Sequence, residues 1–127
     1  MRLHLALPVI AAGALVLAAC GGDDSGSDST SAPVDADVVV KAVDPLQWDQ
    51  PTYSAQAGDV AIAVENDSSQ PHNLHIVGPD QVELPLSLDI PSKGDTDTGT
   101  VSLTAGDYTL ICTVPGHANM KSTLTVS

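Results

Sequence analysis

The sequence predicts an all-β protein, a Greek-key β-sandwich of about seven to eight strands. From Asp37 onward, short runs of Val, Ile and Thr recur between clusters of Gly, Pro and Asp, and no stretch sustains an apolar repeat at helical spacing. The chain contains no Phe, one Trp and two Tyr, so its core must consist mainly of Val, Leu, Ile and Ala. β-Branched residues favour strands, and about 90 residues suffice for a small sandwich of this kind.

The predicted strands lie between turn signals at 57–59, 65–67, 78–80 and 105–107, each of which contains Gly, Asn or Asp. In chain order the predicted strands are Asp37–Val43, Thr52–Gln56, Asp59–Asn66, His72–Val77, Gly99–Leu103, Gly106–Cys112 and Lys121–Val126. The segment 81–97 contains Pro85, Pro91 and Gly94. Because these residues interrupt regular pairing, we expect a long loop or a short helix in that segment.

Length and charge exclude several classes of protein. A chain of 127 residues holds one domain at most. Its formal net charge is -12, and the part from Asp37 onward contains all three lysines and twelve of the sixteen acidic residues. A protein this acidic is repelled by the phosphates that dominate affinity for nucleic acids, so we expect no DNA or RNA partner.

The N-terminal segment has the pattern of an export signal. Residues 1–19 contain Arg2 and then an apolar run that Pro8 and Gly13 interrupt, which fits a secretory signal peptide better than a membrane span. The run ends in Leu-Ala-Ala-Cys20, which resembles a bacterial lipobox. This resemblance implies that the signal is removed and that Cys20 is lipidated; the alternative is ordinary cleavage near Ala19, which would leave a free thiol.

Residues 20–36 are predicted to be the lipidated Cys and a flexible acidic linker. The segment after Cys20 consists almost entirely of Gly, Asp, Ser and other small residues, which cannot bury a core. A coil of this length reaches on the order of 22 Å. We therefore expect the domain 37–127 to be held near a cell membrane on its extracytoplasmic side, in the periplasm or at the cell exterior.

Cys112 is then the one thiol left in the mature chain, and no disulfide within the chain can form. A spare thiol is a hazard in an oxidising compartment, so Cys112 requires a function. A thiolate, an imidazole and a thioether lie within 112–120, and further imidazoles lie in 71–77. Two His, one Cys and a weak axial Met describe a blue-copper site. The alternatives are zinc, which prefers four strong ligands, and a metal-free sandwich.

These residues resemble the cupredoxin family, the group of plastocyanin and azurin, from about Asp37 to Ser127. Cys-Thr-Val-Pro-Gly-His at 112–117 resembles the ligand loop of azurins and auracyanins, and Pro-His-Asn at 71–73 resembles the upstream ligand segment of plastocyanins. The resemblance implies one mononuclear type 1 copper with His72, Cys112 and His117 as strong ligands and Met120 as the axial ligand.

The ligand loop departs from the family pattern at one point. Two residues separate His117 from Met120, whereas azurin-like loops have three and other members have four. The binuclear copper domain of cytochrome oxidase has a two-residue gap, but that site needs a second Cys, and 113–116 contains none. A mononuclear site therefore fits best, with Met120 as its least secure ligand.

Strand parity gives an independent reason to choose His72 over His75. The two residues are three positions apart, so their side chains point to opposite faces of a strand. His72 shares its face with Leu74 and Ile76, which are expected in the core. His75 is expected at the surface and partly exposed.

The resemblance also implies groups that surround the ligands. The backbone amide of Asn73 should donate to the Cys112 sulfur, and the Asn73 side chain should bind Thr113. The amide of Val114 is free to offer a second donor to the sulfur, because Val114 is not a proline. Such groups orient the ligands and tune the reduction potential.

The function implied is that of a monomeric, membrane-tethered electron carrier and not an enzyme. The exposed edge of His117, with Pro115, Gly116 and Ala118 around it, would be the port for electrons. The acidic domain would be steered to a basic redox partner such as a cytochrome or an oxidase domain. The alternative is a copper-binding or copper-delivery lipoprotein without a redox-shuttle role. Multicopper oxidases and nitrite reductases need further copper centres and a longer chain.

Overall fold

The computed structural model describes residues 35–127, and within this range it contains nine β-strands and no helix. The strands are β1 (Val38–Val43), β2 (Gln47–Trp48), β3 (Thr52–Ala55), β4 (Gly58–Asn66), β5 (His72–Val77), β6 (Glu83–Ile90), β7 (Thr96–Leu103), β8 (Gly106–Ile111) and β9 (Lys121–Val126). The predicted all-β class is confirmed.

Two mixed sheets form the sandwich. The four-stranded sheet has the order β2-β1-β4-β7, and the five-stranded sheet has the order β3-β9-β8-β5-β6. The pairs β1/β4 and β3/β9 are parallel, and the other pairs are antiparallel. Because β8 lies between β5 and β9 in the five-stranded sheet, the start of β5, the end of β8 and the start of β9 meet at one end of the sandwich.

The core between the sheets consists of inward-facing apolar residues from both layers, as strand alternation requires. In β5, His72, Leu74 and Ile76 are buried while the residues between them are half-buried. In β8, Tyr108 and Leu110 are buried on the face that continues to buried Cys112. The inward orientation predicted for His72 and for the row that ends at Cys112 is confirmed.

The expectation of a loop or helix in 81–97 is wrong, because this segment contains β6 and the start of β7. β6 is an edge strand, and Pro85 is tolerated there because an edge strand needs no hydrogen bond on its outer side. The register of β5 and β6 also shifts between His75 and Val77, which leaves Pro85 outside the regular ladder. An alternation of Leu84, Leu86, Leu88 and Ile90 with exposed residues was the signal for this strand.

Two smaller differences concern strand boundaries. β7 begins at Thr96, three residues before the predicted start, and the two-residue strand β2 was not predicted. β2 is too short to show a period in the sequence, and it exists because Trp48 pairs with Ala42 of β1.

No helix in the described range is long and apolar enough to cross a membrane. The predicted signal peptide 1–19, the lipidated Cys20 and nearly all of the linker lie outside the described residues.

Candidate metal centre

Three polar side chains from different parts of the chain converge at one end of the sandwich. His72 is the first residue of β5, Cys112 follows the last residue of β8, and His117 lies in the loop that leads to β9. All three are buried, with exposed fractions of 2%, 5% and 7%. Among residues 35–127 they form the one cluster of three or more His, Cys, Asp or Glu able to hold a metal ion.

The donor atoms of these residues form a compact triangle. The Nδ1 atoms of His72 and His117 are 3.2 Å apart, and the Cys112 Sγ lies 3.9 Å from the first and 3.6 Å from the second. Metal bonds to imidazole nitrogen and thiolate sulfur are about 2.0 to 2.3 Å long, as zinc sites illustrate. One ion can therefore touch all three donors. Two imidazoles with one thiolate suit copper.

Burial keeps the imidazole of His72 neutral. Desolvation lowers the pKa of His72, and the neighbouring His117 lowers this pKa further, while Asp44 acts weakly in the opposite direction. A metal ligand must be unprotonated at the donor nitrogen. The shift therefore leaves a lone pair available at neutral pH.

Two tight turns shape the loop that carries His117. The amide of His117 donates to the carbonyl of Val114 at 3.0 Å, and the amide of Met120 donates to the carbonyl of His117 at 2.9 Å. Gly116 is the third residue of the first turn and has a φ of +91°, a conformation that residues with a side chain rarely adopt. The amide of Cys112 faces the carbonyl of Met120 at 3.4 Å, so the loop returns Met120 to the side of Cys112, where it is 1% exposed.

Asn73 connects the strand of one ligand to the loop of the other two. Its side chain donates to the Thr113 hydroxyl and accepts from the Thr113 amide, both at 2.8 Å. The predicted link between Asn73 and Thr113 is therefore present. The amide donors to sulfur expected from Asn73 and Val114 stay predictions. Val114 is half-buried against the core, and its carbonyl accepts from His117 as described.

His75 lies outside the cluster, as strand parity predicted. Its Nδ1 lies 2.5 Å from a carboxylate oxygen of Glu83, and its Nε2 lies 3.3 Å from the hydroxyl of Ser87. These contacts join β5 to β6 on the outer face of the five-stranded sheet.

Sequence reasoning missed three residues that contact the ligands or support those contacts. The Ser68 hydroxyl lies 2.6 Å from the Nε2 of His72, and Asn66 binds Ser68 in turn. The indole of Trp48 packs beside the His72 ring, with centroids 6.4 Å apart. Asn66 belongs to the predicted turn at 65–67 and Ser68 follows it, but nothing in the sequence indicated that their side chains turn inward.

A buried triangle of two imidazoles and one thiol, at the end of a β-sandwich and with a Met closing the loop, defines the class of type 1 copper proteins. The chain belongs to the copper-binding proteins of the plastocyanin/azurin family, whose family model matches residues 34–127. Copper is therefore the cofactor for which the centre is built.

A known relative supports the membership of this family. Auracyanin-A from Chloroflexus aurantiacus is 33% identical over 145 aligned positions, which cover 89% of each chain.

Solved structures share the fold. Auracyanin from Roseiflexus castenholzii superposes with a TM-score of 0.63 at 21% identity, covering 71% of this chain and 95% of the other. The blue copper protein auracyanin A from Chloroflexus aurantiacus gives a TM-score of 0.61 at 24% identity, covering 70% and 96%.

Proposed function

We propose that this protein carries single electrons between redox partners while a lipid holds it at a membrane. The observation that carries the proposal is the donor triangle of His72, His117 and Cys112, with sides of 3.2 to 3.9 Å. Copper bound there supplies the redox chemistry by alternating between Cu(I) and Cu(II). The residues of the chain hold the ion and exclude water from it.

Rigid support of the ligands favours rapid electron transfer. When the ligand geometry changes little between the two oxidation states, the activation barrier to electron transfer stays low. His72 and Cys112 are set by adjacent strands of one sheet, and the Asn73 side chain bonds to Thr113 beside Cys112. The two turns of the ligand loop hold His117. These contacts come from the chain itself and constrain the donors in either oxidation state.

The proposed port for electrons is His117. The residue is 7% exposed, and the loop residues next to it, Pro115, Gly116, Ala118 and Asn119, are exposed. Of these, Pro115, Gly116 and Ala118 are small and apolar, so they would let a partner approach the buried ring closely.

Met120 is proposed as the weak axial ligand. It is fully buried, and backbone contacts with His117 and Cys112 place it beside both ligands. A thioether is a soft donor that suits Cu(I), so this assignment predicts a raised reduction potential.

The proposed partner is a basic redox protein, such as a cytochrome or an oxidase domain. The chain has sixteen acidic residues against four Lys and Arg. A field of this sign speeds encounters with positively charged surfaces and weakens as salt is added.

The membrane attachment rests on the sequence around Cys20. The apolar run before it and the flexible acidic segment after it support lipidation on the extracytoplasmic side. With a reach on the order of 22 Å, the linker would let the domain meet partners embedded in the same membrane.

The decisive experiment is a visible spectrum of the copper-loaded protein followed by reduction and reoxidation. We expect an intense sulfur-to-copper charge-transfer band that disappears with one electron and returns on oxidation. Cys112→Ser should abolish the band, while the chemically identical change Cys20→Ser should leave it intact.

Two outcomes would contradict the proposal. A band that survives Cys112→Ser would show that the site is elsewhere. Release of the copper at each reduction would instead favour a protein that binds or delivers copper without acting as a redox shuttle.

A further inference from the structure

Ser68 is fully buried and contacts the proposed metal ligand His72. It lies in the loop between β4 and β5, four residues before His72, and none of its surface is exposed. Its hydroxyl oxygen is 2.6 Å from the Nε2 of His72. This is the ring nitrogen opposite the Nδ1 that faces Cys112 and His117.

Neighbouring contacts determine the direction of this hydrogen bond. The Ser68 amide donates to the side-chain oxygen of Asn66 at 2.9 Å, and the Asn66 side-chain nitrogen donates to the carbonyls of Gln70 and Ile90 at 2.8 and 2.9 Å. These three bonds define which atom of the Asn66 amide is oxygen. That oxygen lies 3.0 Å from the Ser68 hydroxyl and accepts its one proton, since the other acceptor, the Gln70 carbonyl, is farther away at 3.2 Å; with either acceptor the proton points away from His72.

With its proton donated to Asn66, the Ser68 oxygen can only accept. The amide of Gln70 donates to it at 3.2 Å, and a second lone pair remains for the Nε2–H of His72. His72 then carries its proton on Nε2 and leaves Nδ1 free. This tautomer is the one that a metal ligand at Nδ1 needs.

We infer that Ser68 is a positioning residue for the copper ligand His72, and that Asn66 orients the Ser68 hydroxyl for this task. The inference rests on the ligand role proposed for His72. By accepting the Nε2–H, Ser68 fixes the tautomer and the ring orientation and makes Nδ1 a stronger donor. Partners of this kind typically change metal affinity by about 10- to 100-fold when they are removed.

Ser68→Ala should therefore weaken Cu(II) binding by about 10- to 100-fold. A weaker imidazole donor disfavours Cu(II) more than Cu(I), so the reduction potential should rise. If the loss of affinity is tenfold greater for Cu(II) than for Cu(I), the rise is about 59 mV. The charge-transfer band should shift, because the orientation of His72 is no longer held.

Ser122 provides a matched control. It is the other buried serine of the described residues, and its hydroxyl donates to the Gln50 carbonyl at 2.6 Å. Ser122→Ala removes this one buried hydrogen bond, whereas Ser68→Ala removes the three that its hydroxyl makes with Asn66, Gln70 and His72, so both variants should lose stability and the Ser68 variant should lose more. The potential and the spectrum should change in the Ser68 variant alone, and Ser68→Thr, which keeps a hydroxyl, should restore both toward the parent.

The test is made on the full-length protein by potentiometry and visible spectroscopy. A Ser68→Ala protein with the parent's potential and spectrum overturns the inference. If that variant does not fold, nitrogen-15 NMR of the parent in its Cu(I) form decides: we expect the His72 Nε2–H to exchange slowly with solvent, and rapid exchange overturns the inference. Failure of the parent itself to show a blue-copper band would count against the proposed function instead.

Discussion

The Nδ1 atoms of His72 and His117 lie 3.2 Å apart, with the Cys112 sulfur within 3.9 Å of both. Neutral imidazoles that aim lone pairs at one point repel each other, and protonation of His72 is opposed by burial and by the neighbouring His117. This agrees with the lowered pKa of His72. The packing around the site therefore holds together groups that a bound cation would stabilise.

Copper loading should accordingly raise the free energy of unfolding. A ligand that binds only the folded state adds about 2.7 kcal/mol at a free concentration one hundred times its dissociation constant. Calorimetry with and without copper measures the difference as a shift in Tm. Cys112→Ser should reduce the shift strongly, and an equal shift in parent and variant would mean that copper stabilises the fold elsewhere.

The choice between the two histidines of β5 can be tested with a matched pair of variants. His72→Ala should remove or greatly weaken the coloured site, because it deletes one of three converging donors. His75→Ala should leave the spectrum nearly unchanged and lower stability by at most about 1 kcal/mol, because its partners Glu83 and Ser87 lie at the surface. The reverse result would contradict the orientation of β5.

The assignment of Met120 as the axial copper ligand can be tested with two variants. If its thioether binds copper, Met120→Gln should lower the potential by strengthening the axial bond, and Met120→Leu should raise the potential while copper stays bound. Reduction potentials measured for both variants and for the parent protein show whether Met120 binds copper. If Met120 serves only as apolar filling, Met120→Leu will leave the potential unchanged and alter stability by less than about 1.5 kcal/mol.

The predicted lipid anchor can be tested by replacing Cys20. Cys20→Ser should release the protein from membranes or block its processing, because the serine oxygen cannot replace the thiol that receives the lipid. Fractionation of cells and mass spectrometry of the mature N-terminus measure this. The copper spectrum should remain that of the parent, and an unmodified Cys20 thiol in mature protein would rule out lipidation.

Tyr53 should make stability depend on pH in the alkaline range. Burial raises the pKa of Tyr53, and the hydrogen bond of its hydroxyl to the Asp49 carboxylate, 2.5 Å away, raises this pKa further. Below pH 10 the tyrosine is protonated in both states, so the contribution is fully present. Above pH 10 the unfolded chain ionises first, and stability falls by up to about 1.4 kcal/mol per pH unit.

Urea unfolding at several pH values between 8 and 11 measures this fall. Tyr53→Phe should remove the part of the slope that belongs to Tyr53. Asp49→Asn should make the slope less steep, because it removes the negative charge beside the hydroxyl. A slope that is the same in the parent and in Tyr53→Phe would contradict the assignment.

Much of the ligand set was predictable because it depends on local chemistry. A strand turns alternate residues to opposite faces, and this rule separated His72 from His75 independently of the family resemblance. The spacing of Cys112, His117 and Met120 within one short loop needed no knowledge of distant contacts. The link from Asn73 to Thr113 was expected from the family resemblance and is present at 2.8 Å.

The sequence by itself determined the all-β class and the inward face of His72, because strand periodicity decides these features, and it supplied the candidate metal donors through their residue types and the family resemblance. Only the tertiary structure decided that β6 pairs at the sheet edge despite Pro85, that Trp48 packs on His72, and that Asn66 and Ser68 turn inward behind that ligand. These features depend on which segments, distant in the chain, meet when the sheets close. Buried polar groups such as Asn66 and Ser68 then turn toward whatever partners that packing supplies, since leaving them unpaired would cost free energy.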